Sequence, residues 1–227
     1  MRSQMGSAYL ITATGTDAGK TFVTAGLARL WRARGMHVRA LKPVLSGYDE
    51  SMAEQSDAGQ LLAACDLVVS AANVAAVSPW RFAAPLAPDR AAALEDRAIV
   101  FDELVGWCRA QLACNDDCML IEGIGGVMVP LDAQHTVRDW IAALGVPVLL
   151  VAGTYLGALS HTLTALAALR EVGVVPAALV ANASADSSVS VVETLASLAS
   201  HVGGLPILGL GRDGQLDAVA EFLRTRT

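Results

Sequence analysis

The chain has 227 residues, 54% of them apolar, and a formal net charge of −6 with no block of Lys or Arg, which excludes the basic footprint that a nucleic-acid surface needs. That length suits one α/β domain, expected over residues 8–227 behind a disordered leader at 1–7. No apolar run reaches membrane-spanning length and the first residues have no apolar h-region, so no membrane association, no signal peptide and a cytoplasmic location are expected.

Short runs rich in Val, Ile and Leu at 9–12, 38–41, 119–121, 148–152, 177–180 and 207–210 read as strands. Between them, helical patterns fall at 21–34, 57–64, 101–112, 137–143, 159–171, 188–200 and 216–224. This alternation predicts a parallel sheet with both faces covered and its ligand beyond the carboxyl ends of the strands. Cys65, Cys108, Cys114 and Cys118 lack the paired spacings of a zinc site and read as reduced core thiols.

The first strand turns through Thr14, Gly15, Thr16, Asp17 and Ala18 into Gly19, Lys20, Thr21 and Phe22, where a helix begins. A strand that turns into a helix N-terminus aims unpaired amides at one spot, which favours phosphate. Lys20 adds a positive charge there, and the Thr21 hydroxyl is placed to ligate magnesium. The usual G-x-x-x-x-G-K-[ST] pattern has glycine where Thr14 stands, so an ordinary strand-turn-helix competes until other residues decide.

After the second strand come Lys42, Pro43, Val44, Leu45, Ser46 and Gly47. Lys42 falls at the ligand edge in a turn that the proline stiffens, although a solvated loop lysine is the alternative. Asp57 precedes a helix and reads either as its N-cap or as a carboxylate that joins Thr21 on the metal. The segment 78–88 holds Pro79, Pro85 and Pro88 with Trp80 and Phe82, and is expected to be an extended loop walling a pocket.

The third strand runs into Glu122, Gly123, Ile124, Gly125 and Gly126. An acid ending a buried strand is costly to desolvate unless a cation meets it, so Glu122 is a third metal candidate. After the fourth strand, Gly153 to Ser160 opens a helix without an acid, whose free amides suit a substrate carboxylate, while His161 reads as a packed or capping residue. Asn182, after the fifth strand, suits the edge of an adenine ring or a plain turn.

Together, Thr16 with Gly19-Lys20-Thr21, Lys42-Pro43-Val44-x-Ser46-Gly47, Asp57, the proline-rich loop, Glu122-Gly123-x-Gly125-Gly126 and Leu156-Gly157-x-x-x-His161 resemble the dethiobiotin synthetases in order and spacing. The resemblance runs from Leu10 to about Gly209 and implies a P-loop NTPase fold, a seven-stranded, mostly parallel sheet flanked by helices, and a homodimer that uses ATP and Mg²⁺. By resemblance, Thr14 to Phe22 hold the nucleotide, with Asn182 at its base, and Thr21, Asp57 and Glu122 ligate the metal. Thr16, Lys42 and Ser46 match positions that bind the diamine and its carbamate, and Lys42, Lys20 and Thr16 are the implied catalytic residues. The amides of Leu156, Gly157 and Ala158 match those that receive the substrate carboxylate. The implied reaction is closure of a cyclic urea on 7,8-diaminononanoate with carbon dioxide and ATP. The sequence departs from the family at Ala13, Asp17 and Ser160 and over 209–212. A P-loop metabolite kinase and a partitioning-type switch ATPase are the alternatives, and the extra early lysine of such switches is absent from 13–18.

Overall fold

The structure is a computed structural model and describes residues 7–114, 116–184, 187, 189–211 and 214–225. Among these, the central sheet has six strands in the order β2-β5-β1-β6-β7-β8, all parallel. They are β1 (Ser7–Ala13), β2 (Val38–Leu41), β5 (Cys118–Glu122), β6 (Val148–Ala152), β7 (Ala178–Asn182) and β8 (Ile207–Leu210). Two further strands, β3 (Val44–Ser46) and β4 (Trp80–Phe82), pair with each other in a separate parallel sheet. The central sheet thus has six strands in this description where the resemblance implied seven.

The strands are short apolar runs because both sheet faces are covered. Every residue of β5 is buried, and its side chains divide by parity: Met119 and Ile121 enter one core, Cys118 and Leu120 the other. On the first face pack α5 (Phe101–Leu112), α6 (Val137–Leu144) and α7 (Ala158–Glu171) through Leu104, Trp140 and Leu166. On the other face pack α1 (Lys20–Ala33) and α9 (Asp217–Arg224), through Val23, Leu27, Trp31, Val219 and Leu223. The Tyr9 hydroxyl donates to the Leu223 carbonyl at 3.0 Å, tying the first strand to the last helix.

Helix ends follow local chemistry. α6 opens on a capping box of Thr136 and Asp139 and ends at Gly145 with φ 66°. α8 (Val191–Ala199) opens on Ser190 with Glu193 in the same role. It therefore starts at Val191 within the segment read as 188–200, of which Ser188 lies outside the described residues. No described helix is long and apolar enough to cross a membrane.

Three expectations are corrected, and one helix is added. Ser7, read as leader, is the first residue of β1, its amide bonded to the Asp117 carbonyl at 3.0 Å; residues 1–6 lie outside the described residues. The segment 78–88 is not one loop: Trp80–Phe82 is β4, and Pro88 opens α4 (Pro88–Ala93). Helices α2 (Asp57–Ala64) and α5 match their patterns, but α3 (Ala71–Val77) was unread because its run of Ala and Val has no polar face to reveal a period. Of the thiols, Cys65, Cys108 and Cys118 are buried, and burial pushes the latter two up to about 12, whereas Cys114 is exposed.

Candidate active site

Register places the polar residues. β2 pairs Leu41 with Ile121, and β1 pairs Ile11 with Glu122, so Lys42, the first residue after β2, comes level with Glu122 at the carboxyl edge. The turn after β1 descends into α1 at Gly19, with φ 99°, and the helix begins without a side-chain cap. Its first-turn amides therefore lack intrahelical partners and face the same edge.

At this edge lies a cavity of about 790 Å³. Its polar wall holds Thr16, Asp17, Gly19, Lys20, Thr21, Lys42, Ser46 and Asp57, and Phe22 also lines it. The apolar side is built by Leu45, by Pro85 to Pro88, and by Ile124 and Val129. The proline-rich segment walls the cavity as expected. Ile124 and Val129 carried no signal of their own; they reach the cavity because the chain turns sharply at Gly125, φ 55°, where a Cβ would lie 2.6 Å from Val129 Cγ2.

The charged centre is dense. Lys42 Nζ lies 2.6 Å from Glu122 Oε1 and 2.8 Å from Asp57 Oδ2, and donates to the Gly123 carbonyl at 2.9 Å. The Thr21 hydroxyl sits 2.9 Å from Asp57 Oδ1 and 2.8 Å from Glu122 Oε1, so Thr21, Asp57 and Glu122 converge on one spot. The N-cap of α2 is the neighbouring Ser56, whose hydroxyl accepts from the Gly59 amide, which leaves the Asp57 carboxylate to this cluster. Lys42 is no solvated loop residue, at 2% exposure.

Burial alone would lower the Lys42 ammonium, but Glu122 and Asp57 outweigh that and raise it. Burial would likewise raise Asp57, yet Lys42 and the Thr21 hydroxyl hold it below the usual carboxylate range. Lys20 has the opposite fate. Burial first, and then the nearby Lys42 charge, bring it down to about 8, and its Nζ donates to the Gly15 carbonyl at 3.2 Å. Among the described residues, no group of three or more His, Cys, Asp or Glu is arranged to hold a metal; the oxygen set here is one hydroxyl and two carboxylates.

The remaining predicted residues divide. The Thr14 amide pairs with the Val151 carbonyl, and its buried hydroxyl has no partner among the described residues; Ala18 is buried. Asn182 lies against the loop, its Nδ2 donating to the Ala18 carbonyl at 3.1 Å and its amide filling the space where Gly19 has no Cβ. Leu156, Gly157 and Ala158 are not on the cavity of their own chain. Leu156 is 97% exposed, and the Ala158 amide already donates to the Tyr155 carbonyl. Of the segment 209–212, Gly209 and Leu210 are in β8, and Arg212 lies outside the described residues.

Comparison with known proteins bears on this geometry. A family model described as an AAA domain matches residues 7–210. The chain is 52% identical over 201 residues to an ATP-dependent dethiobiotin synthetase BioD of Acidiphilium cryptum (strain JF-5), covering 88% of this chain and 90% of that protein. It is 45% identical over 225 residues to the protein of the same name from Phenylobacterium zucineum (strain HLK1), covering 97% and 96%. Among solved structures, a ParA family ATPase from Chlorobium tepidum TLS superposes with a TM-score of 0.53 at 16% identity, covering 96% of this chain and 88% of that one. The septum site-determining protein MinD from Pyrococcus horikoshii OT3 gives 0.52 at 18%, covering 98% and 90%. These two likenesses concern the fold alone, which is that of the P-loop NTPases. Identity sustained over nearly the whole length of curated relatives, with the turn from Gly15 to Thr21 and the Lys42–Glu122 edge inside the span of the family match, makes this chain a member of the ATP-dependent dethiobiotin synthetase family.

Proposed function

We propose that the protein is the ATP-dependent cyclo-ligase that closes the ureido ring of dethiobiotin on 7,8-diaminononanoate with carbon dioxide, in biotin biosynthesis. The observation that carries this reading is the pairing of two lysines, Lys20 and Lys42, on one cavity whose other side is apolar. A phosphate-binding loop accounts for Lys20 alone. A second, buried lysine serves a second anion, and the apolar side suits an aliphatic chain.

In the reaction, one substrate amine adds to carbon dioxide and loses a proton, giving a carbamate. A carbamate oxygen displaces ADP from the γ-phosphorus, forming a carbamic-phosphoric anhydride. The second amine attacks the carbamoyl carbon and loses a proton, phosphate leaves, and the ring is closed. Carbamate and triphosphate repel each other, so the chain's task is to hold them together. Lys20 and the loop amides over 14–22 bind the phosphates, and Lys42, Thr16 and Ser46 hold the carbamate and the amine end. The Ser46 hydroxyl is buried without a partner among the described residues, which supports such a role. Asn182 braces the loop and keeps its carbonyl and second N–H for the base.

Mg²⁺ suits the oxygen donors of Thr21, Asp57 and Glu122, a hard set for a hard cation. Glu122 supports this further, because its Oε2 is buried and has no partner among the described residues. When bound, the ion would neutralise charge on the outer phosphates during transfer.

The working unit in this reading is a homodimer of single-domain subunits in the cytoplasm. The amides expected at the substrate carboxylate lie off the cavity of their own chain, and a second copy would bring them to it. Ala158's engaged amide narrows that role to Leu156 and Gly157.

Phosphate release with diamine, bicarbonate and MgATP, each omitted in turn, tests the function. Dependence on all three is expected. Release without the diamine would instead indicate a switch ATPase, and release indifferent to bicarbonate a kinase.

A further inference from the structure

Lys42 stands where the chain leaves the edge of the central sheet. Leu41 ends β2, Pro43 has no N–H, and β3 begins at Val44 in the other sheet. A residue at such a junction loses ladder partners, and at 2% exposure it has no water to replace them. Both main-chain groups are nevertheless paired, and both partners come from the end of α3. The Lys42 amide donates to the Val77 carbonyl at 3.0 Å, and the Ser78 hydroxyl donates to the Lys42 carbonyl. One step on, the Trp80 amide donates to the Pro43 carbonyl at 3.1 Å. Ser78 is fully buried, and its own amide is bonded to the Val74 carbonyl.

The stretch from Val77 to Trp80 therefore serves Lys42 and Pro43 as a substitute strand. Of its three contacts, only that of Ser78 is made by a side chain. We infer that Ser78 is a positioning residue for Lys42: its hydroxyl fixes the backbone from which the lysine side chain projects toward the carbamate. This rests on the reading of Lys42 given above. The Nζ of Lys42 meets three oxygens between 2.6 and 2.9 Å, a fit that a shifted backbone would not keep. Small displacements of a group that holds a reacting anion cost rate steeply.

The test compares wild type with Ser78→Ala, Ser78→Cys, Lys42→Met and the double variant Ser78→Ala/Lys42→Met, as full-length proteins. Cysteine puts a somewhat larger sulfur in place of the oxygen and donates weakly, so it fills the site without restoring the hydroxyl and carries the test if the alanine variant does not fold. Steady-state rates against diamine and bicarbonate are measured beside the Kd for the nucleotide. Both serine variants are expected to lose about tenfold in kcat/KM for the diamine while nucleotide Kd stays within about twofold. In the Lys42→Met background, Ser78→Ala is expected to change the residual rate by less than about twofold, because a residue acting through the lysine has nothing left to act on. Wild-type turnover in Lys42→Met would overturn the reading of the lysine itself. A crippled Lys42→Met beside serine variants that keep wild-type kcat/KM, or that lose nucleotide affinity as much as diamine turnover, would overturn the positioning role alone.

Discussion

The Lys42 ammonium and the Glu122 carboxylate lie 2.6 Å apart with side chains 2% and 0% exposed, the lysine just past the end of β2 and the glutamate ending the neighbouring parallel strand β5, whose register sets them level. Such a pair is poor evidence for net stability, since both ions are desolvated, but breaking it leaves a lone charge where water cannot reach.

Lys42→Met is accordingly expected to abolish most turnover and to destabilise the fold by about 3–5 kcal/mol, while nucleotide binding persists. Its melting temperature should respond to Mg²⁺ more than that of the wild type, because Asp57 and Glu122 are then without the ammonium that both contact. Thermal melts with and without the ion check this. An equal shift in both proteins would remove the two carboxylates from the metal site.

Lys20 gives a pH signature. Its value of about 8 lies below the ordinary 10.5, so between these pH values the unfolded chain carries more of this proton than the folded one. The cost of burying the charged form is present below pH 8 and is relieved as pH rises to about 10.5, so this group makes the unliganded protein more stable across that window. Bound phosphates favour the charged form again. Nucleotide binding near pH 8.5 should therefore take up protons, seen by calorimetry in buffers of different ionisation enthalpy. Lys20→Met should abolish the uptake, and uptake that survives the substitution would assign it to another group.

Gly19→Ala is expected to weaken nucleotide binding by tenfold or more, for two separable reasons. The backbone has φ 99°, and a Cβ would lie 2.1 Å from Asn182 Nδ2. Asn182→Ala relieves only the second, so the double variant should recover part of the binding, the αL strain of about 1–2 kcal/mol remaining. Full recovery would show that the backbone conformation is unimportant here. Titration with a non-hydrolysable ATP analogue measures both.

Leu156→Asp addresses assembly. An apolar side chain 97% exposed beside Gly157 is expected to be covered by the second subunit, so the aspartate should shift sedimentation toward monomer and raise KM for the diamine while leaving Kd for the nucleotide unchanged. A wild-type sedimentation profile with unchanged KM would take this residue out of the interface.

The parallel sheet was legible because its strands are uninterrupted apolar runs, and the site because its residues follow strands: Lys42 after β2, Glu122 at the end of β5, Gly19 to Thr21 after β1. Two kinds of information were hidden. One is contact between segments far apart in sequence, such as Ser78 with Lys42 or Asn182 with Ala18, which no local period encodes. The other is short structure held by tertiary pairing. β4 is a three-residue strand amid prolines, and only its partner β3 makes it one. Asp57 was ambiguous for a related reason, since a cap and a ligand look alike until Ser56 is seen to take the capping role.

The distribution of thiols has a practical corollary. Cys65, Cys108 and Cys118 are sealed in the core, whereas Cys114 is open to solvent between α5 and β5, at the end of the sheet opposite Glu122. Five strand residues put on the order of 15 Å between that end and the reacting groups. A maleimide dye would therefore attach at one defined address in the native enzyme, ready to report subunit exchange or surface tethering without touching the chemistry.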